Sequence, residues 1–355
     1  MVCQLYQYHY INEEKTWTEA QQYCREKHTD LATVSNMTDM KRLLSNSTVN
    51  MTEAWIGLYD PADGIRTWYW SLPGVEFDNS NELWNTNQPN NYEGVENCGV
   101  LTGSLTLENV SCNTHNHFLC YDSNSFQKFH LIQQNKTWLE AQRYCRENHT
   151  DLVSGLPQLQ EDELKGYSSL IEKHFLISIG LFRDTWRWSD GSSFSFRHWN
   201  DQFNNDQYNT GQCAMTVFDD EGRWKTDSCT VRKPFICYDD KVILMKEKMN
   251  WEDALYYCRD HYHDLVTITS LDEQRWIQEK AKNASTDYVW IGLRYNCLKN
   301  MWFWVCKEIR FNHKSQVSEE QMRNCDMSGA IEARGKHRWI QGNDTEELNF
   351  ICSKV

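Results

Sequence analysis

The sequence predicts an α+β fold, arranged as three tandem domains in which a helix precedes several short strands. The first observation is a repeated segment: Lys15–Leu31 recurs as Lys136–Leu152 and, more loosely, as Met249–Leu265. The cysteines of these copies lie 121 and 113 residues apart, a period that is too long for a solenoid repeat and suits a whole domain. We therefore expect domains at residues 1–121, 126–238 and 241–355.

Each copy opens with a segment that is typical of an amphipathic helix. Thr16, Thr137 and Asn250 each precede a tryptophan and are candidate N-caps, with acidic residues in the turn that follows. Ala20 and Cys24 have helical i, i+4 spacing, which points the cysteine of this helix towards a core.

Strand-like segments follow the helix in every copy. An apolar segment comes first: Trp55–Leu58, Ile177–Leu181 and Trp290–Leu293. An alternating aromatic segment comes next: Thr67–Trp70, Thr185–Trp188 and Met301–Trp304. A segment with the last cysteine closes each copy: Phe118–Cys120, Phe235–Cys237 and Phe350–Cys352.

Composition narrows the class of protein. The 355 residues are 40% hydrophobic and include 16 Trp, which argues against disorder. The net charge is −14 and there is no block of Lys and Arg, so we expect no nucleic-acid partner. The 14 cysteines contain no C-x-x-C pair, which favours disulfides in an oxidising compartment over a zinc or redox site.

The glycosylation sequons agree with an extracellular or cell-surface location. They begin at Asn36, Asn46, Asn50, Asn109, Asn135, Asn148, Asn283 and Asn343. The chain opens Met1-Val2-Cys3-Gln4 without a signal-like segment, and it contains no apolar stretch long enough to span a membrane. We expect a fragment whose signal peptide, and any membrane anchor, lie outside this sequence.

The cysteines pair naturally inside the copies. The pairs that would join the start of a copy to its end are Cys24 with Cys120, Cys145 with Cys237, and Cys258 with Cys352; each is worth roughly 4–5 kcal/mol on the chain-entropy relation. Smaller loops would be closed by Cys98 with Cys112 and by Cys213 with Cys229. Cys297 and Cys306 could bridge each other. Cys3 and Cys325 are left over, and are free, paired with one another or intermolecular.

These features together resemble the C-type lectin-like domain. The Trp-Ile-Gly-Leu strand, the early helix with its cysteine, and a final cysteine spacing of eight residues are hallmarks of that family. The tandem array with short linkers resembles the macrophage mannose receptor and its relatives, including fish lectin-like receptors. The resemblance implies a disulfide-stapled double-loop fold whose long loop holds calcium in the sugar-binding members.

The resemblance also implies a calcium and carbohydrate site in the first domain. Family members use a Glu-Pro-Asn or Gln-Pro-Asp triplet with a cis proline, a Glu two residues before the inner cysteine, and a Trp-Asn-Asp triplet. At those positions this chain has Gln88-Pro89-Asn90, Glu96 and Leu107-Glu108-Asn109. The candidate ligands are Gln88, Asn90, Glu96, Glu108 and Asn109. Asn109 also begins a sequon, and a glycan there would cover the site.

The second and third domains have lost this pattern. The second has Phe203-Asn204-Asn205, Gly211 and Trp224-Lys225-Thr226 at the corresponding positions. The third has no proline triplet, Arg323 in place of the Glu, and Trp339-Ile340-Gln341. We expect neither to bind calcium there; they bind protein or act as spacers that present the first domain.

Other motifs do not indicate catalysis or a further metal. His115-x-His117 and His261-x-His263 are interpreted as structural or surface residues, so that no metal other than calcium is expected. The sequence has no G-x-S-x-G, H-E-x-x-H or phosphate-binding glycine loop, and we predict a protein that is not an enzyme. The first hypothesis is a receptor fragment that binds glycans or glycoproteins, with calcium in domain 1. The alternative is a calcium-independent module that binds protein ligands and no sugar.

Overall fold

The computed structural model describes residues 5–45, 52–61, 63–78, 83–123, 125–174, 176–206, 211–296, 301–305, 327–335 and 338–354. The helices are α1 (Trp17–Lys27), α2 (Met37–Ser45), α3 (Trp138–Asn148), α4 (Leu156–Leu159), α5 (Asp162–Lys165), α6 (Ser168–His174), α7 (Trp251–His261) and α8 (Leu271–Ala281). The strands up to residue 136 are β1 (Tyr6–Lys15), β2 (Asp30–Leu31), β3 (Glu53–Tyr59), β4 (Thr67–Trp70), β5 (Cys98–Leu101), β6 (Leu107–Val110), β7 (Asn116–Tyr121) and β8 (Phe129–Lys136).

The remaining strands continue in chain order: β9 (Asp151–Leu152), β10 (Ile177–Asp184), β11 (Arg187–Trp188), β12 (Gln212–Val217), β13 (Trp224–Ser228), β14 (Lys233–Asp240), β15 (Val242–Met249), β16 (Asp264–Leu265), β17 (Tyr288–Asn296), β18 (Met301–Trp304), β19 (Met327–Glu332), β20 (Trp339–Asn343) and β21 (Leu348–Ser353). Helices and three seven-stranded sheets confirm the predicted α+β class. Within the described ranges, no helix is long and apolar enough to cross a membrane.

The predicted helix starts are confirmed. The Thr16 hydroxyl accepts a hydrogen bond from the backbone N–H of Glu19, whose carboxylate accepts one from the backbone of Thr16, which completes a capping box. Thr137 and Glu140 repeat this arrangement at α3. Asn250 caps α7. These caps fix where the helix begins and therefore which residues face the core.

One helix-to-strand contact recurs in all three repeats. The indole N–H of Trp17 donates to the backbone oxygen of Ile56 at 2.8 Å. Trp138 and Trp251 make the same bond to Ile179 and Ile291 at 2.7 and 3.0 Å. The strand's glycine permits close packing: a Cβ at Gly57 would lie 3.0 Å from a backbone oxygen of β2. This is the physical role of the glycine in the Trp-Ile-Gly-Leu segment.

The chain divides into two compact units, one made of Met1–His9 with Tyr238–Val355 and the other of Tyr10–Cys237. The first unit contains the third repeat, whose sheet has the order β15-β21-β17-β19-β20, with β16 on β21 and β18 on β17. All seven of these strands belong to the third repeat. The domain boundaries near residues 121 and 238 stay predictions.

The Tyr10–Cys237 unit exchanges the halves of its two repeats. One sheet has the order β1-β14-β3-β12-β13, so early strands of the first repeat pair with late strands of the second. The other has the order β6-β5-β10-β7-β8, so late strands of the first repeat pair with early strands of the second. We call residues 67–184 the inner body, and residues 10–59 with 187–237 the outer body.

A set of polar contacts of the same type, which we call the latch, joins the two halves of each body. In the inner body the Ser71 hydroxyl donates to Asp151 at 2.6 Å, and the Arg146 guanidinium donates to the backbone oxygen of Ser71 at 3.0 Å. In the outer body Ser189 bonds Asp30 at 2.6 Å, and Arg25 bonds the backbone oxygen of Ser189 at 2.7 Å. Each latch therefore joins a helix-bearing half of one repeat to a strand-bearing half of the other.

The disulfides correct the predicted pairing. The structure joins Cys24 to Cys237 and Cys120 to Cys145, so the expected pairs Cys24–Cys120 and Cys145–Cys237 are wrong. The physical reason is the exchange of halves, which brings the helix cysteine of one repeat beside the last cysteine of the other. Because the two repeats have cysteines at equivalent places, the spacing alone could not distinguish the two pairings.

The other described disulfides agree with expectation. They are Cys98–Cys112, Cys213–Cys229 and Cys258–Cys352. The predicted Cys297–Cys306 bridge lies outside the described residues. So do Cys3 and Cys325, whose state stays open.

Candidate functional site

The long loop of the first repeat is anchored on β6 of the inner body. The backbone N–H of Asn85 donates to the oxygen of Leu107 at 2.9 Å, and the N–H of Leu107 donates to the oxygen of Leu83 at 2.7 Å. The backbone N–H of Gln88 donates a hydrogen bond to the backbone oxygen of Asn85 at 3.0 Å. The start of the loop is thus held beside the strand that contains Glu108 and Asn109.

The turn after this anchor contains the proline triplet. The Gln88–Pro89 peptide bond is cis. Asn91 and Glu93 have positive φ values of 50° and 55°; Asn91 precedes the short 3-10 turn at Tyr92–Gly94, and Glu93 lies within it. This backbone path returns the chain towards Glu96, which lies just before the inner disulfide.

Three of the candidate ligands form one hydrogen-bonded cluster. The Asn109 side-chain oxygen accepts from the backbone N–H of Asn90 at 3.0 Å, and its amide nitrogen donates to the Glu96 carboxylate at 3.1 Å. The same Glu96 carboxylate accepts from the N–H of Tyr92 at 2.8 Å. Asn109 is only 2% exposed, whereas Asn90 is exposed and Glu96 is half-buried. The cluster therefore has a buried base and an open side.

The other two candidate ligands lie at the edges of this cluster. The Gln88 side-chain oxygen accepts from the N–H of Asn90 at 3.2 Å, so it belongs to the same turn. Glu108 accepts from the side chain of Asn85 at 2.7 Å, at the base of the loop. The structure thus brings Gln88, Asn90, Glu96 and Asn109 together and ties Glu108 to the loop through Asn85.

The chemistry of these donors fits calcium. Calcium takes six to eight oxygen ligands, and these side chains offer two carboxylates and three amide oxygens. The two carboxylates match the charge of the ion. Part of the set is engaged within the protein, because the Asn109 oxygen accepts from the Asn90 backbone. The ion would compete with these bonds, which favours modest affinity.

The corresponding loop of the second repeat makes protein contacts instead. Phe203 stacks on Trp199 at a ring distance of 4.0 Å. The Asn204 oxygen accepts from the Asn113 side chain at 2.9 Å, and the Asn205 amide donates to the backbone oxygen of Arg183 at 2.8 Å. Sequence reasoning missed the contacts of Asn204 and Asn205 because their partners lie in the first repeat and on β10.

The remaining second-repeat positions likewise supply no carboxylate. Gly211 has a φ of 79° and no side chain. Trp224 is fully buried on β13, and Lys225 follows it on the same strand. In the third repeat, Trp339, Ile340 and Gln341 lie on β20, while Arg323 falls outside the described residues. The absence of calcium from both repeats stays a prediction.

Neither histidine pair belongs to a metal-ligating group of His, Cys, Asp and Glu in the described part of the chain. His261 contacts the backbone oxygen of Tyr257 at 3.0 Å through its Nδ1. A different cluster, Asp122 with His130 and His149, is brought together instead. No short sequence motif marks it, because its members lie after β7, on β8 and at the end of α3.

Comparisons with known proteins identify the family of the three repeats. The model of the family described as "Lectin C-type domain" matches residues 13–122, 134–239 and 247–354. Among solved structures, human lithostathine has a TM-score of 0.30 and 13% identity, covering 67% of this chain and 85% of that chain. The C-type lectin CEL-I from Cucumaria echinata has a TM-score of 0.25 and 16% identity, covering 31% and 86%.

Relatives in the curated comparison are named as receptors. C-type mannose receptor 2 of Homo sapiens is 25% identical over 360 residues, covering 84% of this chain and 24% of that protein. Secretory phospholipase A2 receptor of Pongo abelii is 24% identical over 351 residues, covering 79% and 23%. The chain thus spans about a quarter of the length of these relatives. With three matched segments that fill most of its length, the chain belongs to the C-type lectin domain family.

Proposed function

We propose that this chain is an extracellular carbohydrate-binding module whose first repeat holds calcium and, through it, a sugar. The observation that supports this most directly is the cluster of Asn90, Glu96 and Asn109, in which residues separated by up to 19 positions converge on one turn. Calcium would supply a cationic centre to which two sugar hydroxyls bind. Gln88 and Asn90, on the open side, are placed to accept or donate hydrogen bonds to the same hydroxyls.

The overall avidity for glycans would depend on multivalency. A shallow sugar site gives low affinity, and relatives of this chain are several times longer. The relative named C-type mannose receptor 2 makes mannose the first sugar to test. The proposal assigns no catalytic step to any residue.

The experiment compares two glutamates on the same loop. The full chain is passed over mannose- and galactose-agarose in calcium, with and without a chelator. Glu96 lies in the cluster, whereas Glu93 is exposed three residues earlier. We expect Glu96→Gln and Asn90→Ala to abolish chelator-sensitive retention, and Glu93→Gln to retain it.

Thermal unfolding with added calcium gives an independent readout. Calcium that binds the folded state and not the unfolded state raises the melting temperature of the wild type by mass action. The variant Glu96→Gln should show no such rise. A folded chain that gains no stability from calcium and is retained on neither matrix would refute the proposal. That outcome would favour the calcium-independent protein-binding module.

A further inference from the structure

A second cluster of ligand-type side chains lies outside the loop that contains Asn90 and Glu96. Asp122 follows the end of β7, His130 lies near the start of β8, and His149 caps the end of α3. The β7–β8 hairpin pairs Cys120 with His130. The backbone N–H of His149 donates to the backbone oxygen of Cys145. This bond ends the helix and fixes the backbone position of His149. The β7–β8 hairpin and the end of α3 therefore present the three side chains.

The distances within this cluster are those of potential ligands. One ligand atom from each residue lies within 4.8 Å of the other two. The imidazoles of His130 and His149 are stacked, with ring centres 4.3 Å apart and an angle of 18°. The Nδ1 of His149 lies 3.9 Å from the carboxylate of Asp122. Ligands on a tetrahedral zinc ion are about 3.4 Å apart, and an imidazole lone pair lies in its ring plane, so the two stacked rings would have to rotate about their χ2 bonds to point both lone pairs at one ion.

The surroundings of the two histidines bear on metal binding. Burial lowers the pKa of the His149 imidazole, the neighbouring His130 lowers it further, and Asp122 opposes both effects. A lowered pKa favours the neutral imidazole, which is the form that binds a metal ion. The Nε2 of His130 is buried and makes no hydrogen bond to any described residue. A buried polar nitrogen without a partner is costly unless something else satisfies it.

The fold does not require these residues. In the third repeat the corresponding positions are Ile243, Tyr262 and Lys354. Ile243 pairs with Cys352 in the same register as His130 with Cys120. Since an aliphatic, a phenolic and a cationic side chain occupy the same places there, two histidines and an aspartate are not needed for packing.

We propose that Asp122, His130 and His149 form a binding site for a divalent transition-metal ion, with zinc as the best match. Two imidazole nitrogens and one carboxylate oxygen are a ligand set that zinc accepts with a fourth position open. Calcium prefers oxygen ligands alone and does not fit this set. The site therefore differs in ligand chemistry from the cluster of Asn90, Glu96 and Asn109.

The test is a zinc chloride titration of the full chain by calorimetry, at neutral pH and in the presence of calcium. The same residue types recur in the sequence at His9, His28 and Asp239, and a His28→Tyr background removes any contribution that depends on His28. In that background His130→Ile and His149→Tyr introduce the residues of the third repeat, which the fold tolerates. The control is His261→Ala, a histidine outside the cluster.

We expect each cluster variant to weaken zinc binding at least about tenfold and the control to leave it unchanged. Cobalt(II) should give visible absorption bands of low-symmetry coordination in the parent and not in His149→Tyr. Equal zinc affinity in the parent, His130→Ile and His149→Tyr, all with unchanged melting temperatures, would overturn the proposal. Retention on sugar matrices is measured in parallel, so failure of the zinc site and failure of the calcium site are distinguishable.

Discussion

Removal of one cysteine pair should report which repeat supplies each half of a body. The perturbation is Cys120→Ala with Cys145→Ala. In the structure these two are partners, so the double variant loses one disulfide and keeps Cys24 bonded to Cys237. If each repeat instead folded on itself, the same variant would break two disulfides and leave Cys24 and Cys237 without partners.

Chain entropy by itself does not choose between these connectivities. The structure closes separations of 213 and 25 residues, worth about 5.4 and 3.5 kcal/mol. The alternative closes two loops of about 95 residues, each worth about 4.7 kcal/mol. The totals differ by about 0.5 kcal/mol. Loss of the Cys120–Cys145 loop should therefore cost about 3.5 kcal/mol, against about 9 kcal/mol if both disulfides were broken.

The assay counts thiols that react with a maleimide after unfolding, as mass added to the intact protein. The wild-type count is subtracted, because it includes any free thiol among Cys3, Cys297, Cys306 and Cys325. We expect no additional thiols in the double variant, and none in Cys24→Ala with Cys237→Ala. Two additional thiols in both variants would refute the exchange of halves.

Three further outcomes follow from the same structure. Asn109 is buried and bonded to Glu96, so peptide mass spectrometry of folded protein should find it without glycan while the exposed Asn135 sequon is open to occupancy. Burial lowers the pKa of His198 to about 4, so the unfolded state takes up a proton first as the pH falls below about 6.5. Urea unfolding at pH 5 should therefore show up to about 2 kcal/mol less stability than at pH 7, reduced by solvent screening. The variant His198→Phe should show a smaller difference between the two pH values. Asp184 and Arg197 form a buried pair at 2.8 Å, so Asp184→Ala should cost about 3–5 kcal/mol in the same assay, and a loss below 1 kcal/mol would contradict the assignment.

Local structure was predictable because it depends on neighbours in sequence. The caps at Thr16, Thr137 and Asn250 follow from side chains that bond backbone groups three residues away. The apolar strands follow from composition over a few residues. The convergence of Asn90 and Glu96 followed from the family pattern and not from the residues alone.

The exchange of halves could not be predicted in the same way. Ser71 and Ser189 stand at equivalent places after an aromatic strand, and each bonds an equivalent arginine and aspartate. Exchanging them changes no type of contact, so no local pattern prefers one partner. The Asp122 cluster was missed for a related reason, since only the hairpin and the end of α3 bring its members together.

The nesting of the inner body within the outer one has a consequence for synthesis. The inner body is a single run of chain and can close once residue 184 has emerged, whereas Cys24 must wait for Cys237. At about 5–20 residues per second, the 213 intervening residues take about 10–40 s to translate. Throughout that interval Cys24 lacks its partner, while Cys120, the equivalent cysteine of the first repeat, has already been made. Correct maturation would then depend on an isomerase that undoes early bonds, and the yield of native protein should follow the supply of that enzyme.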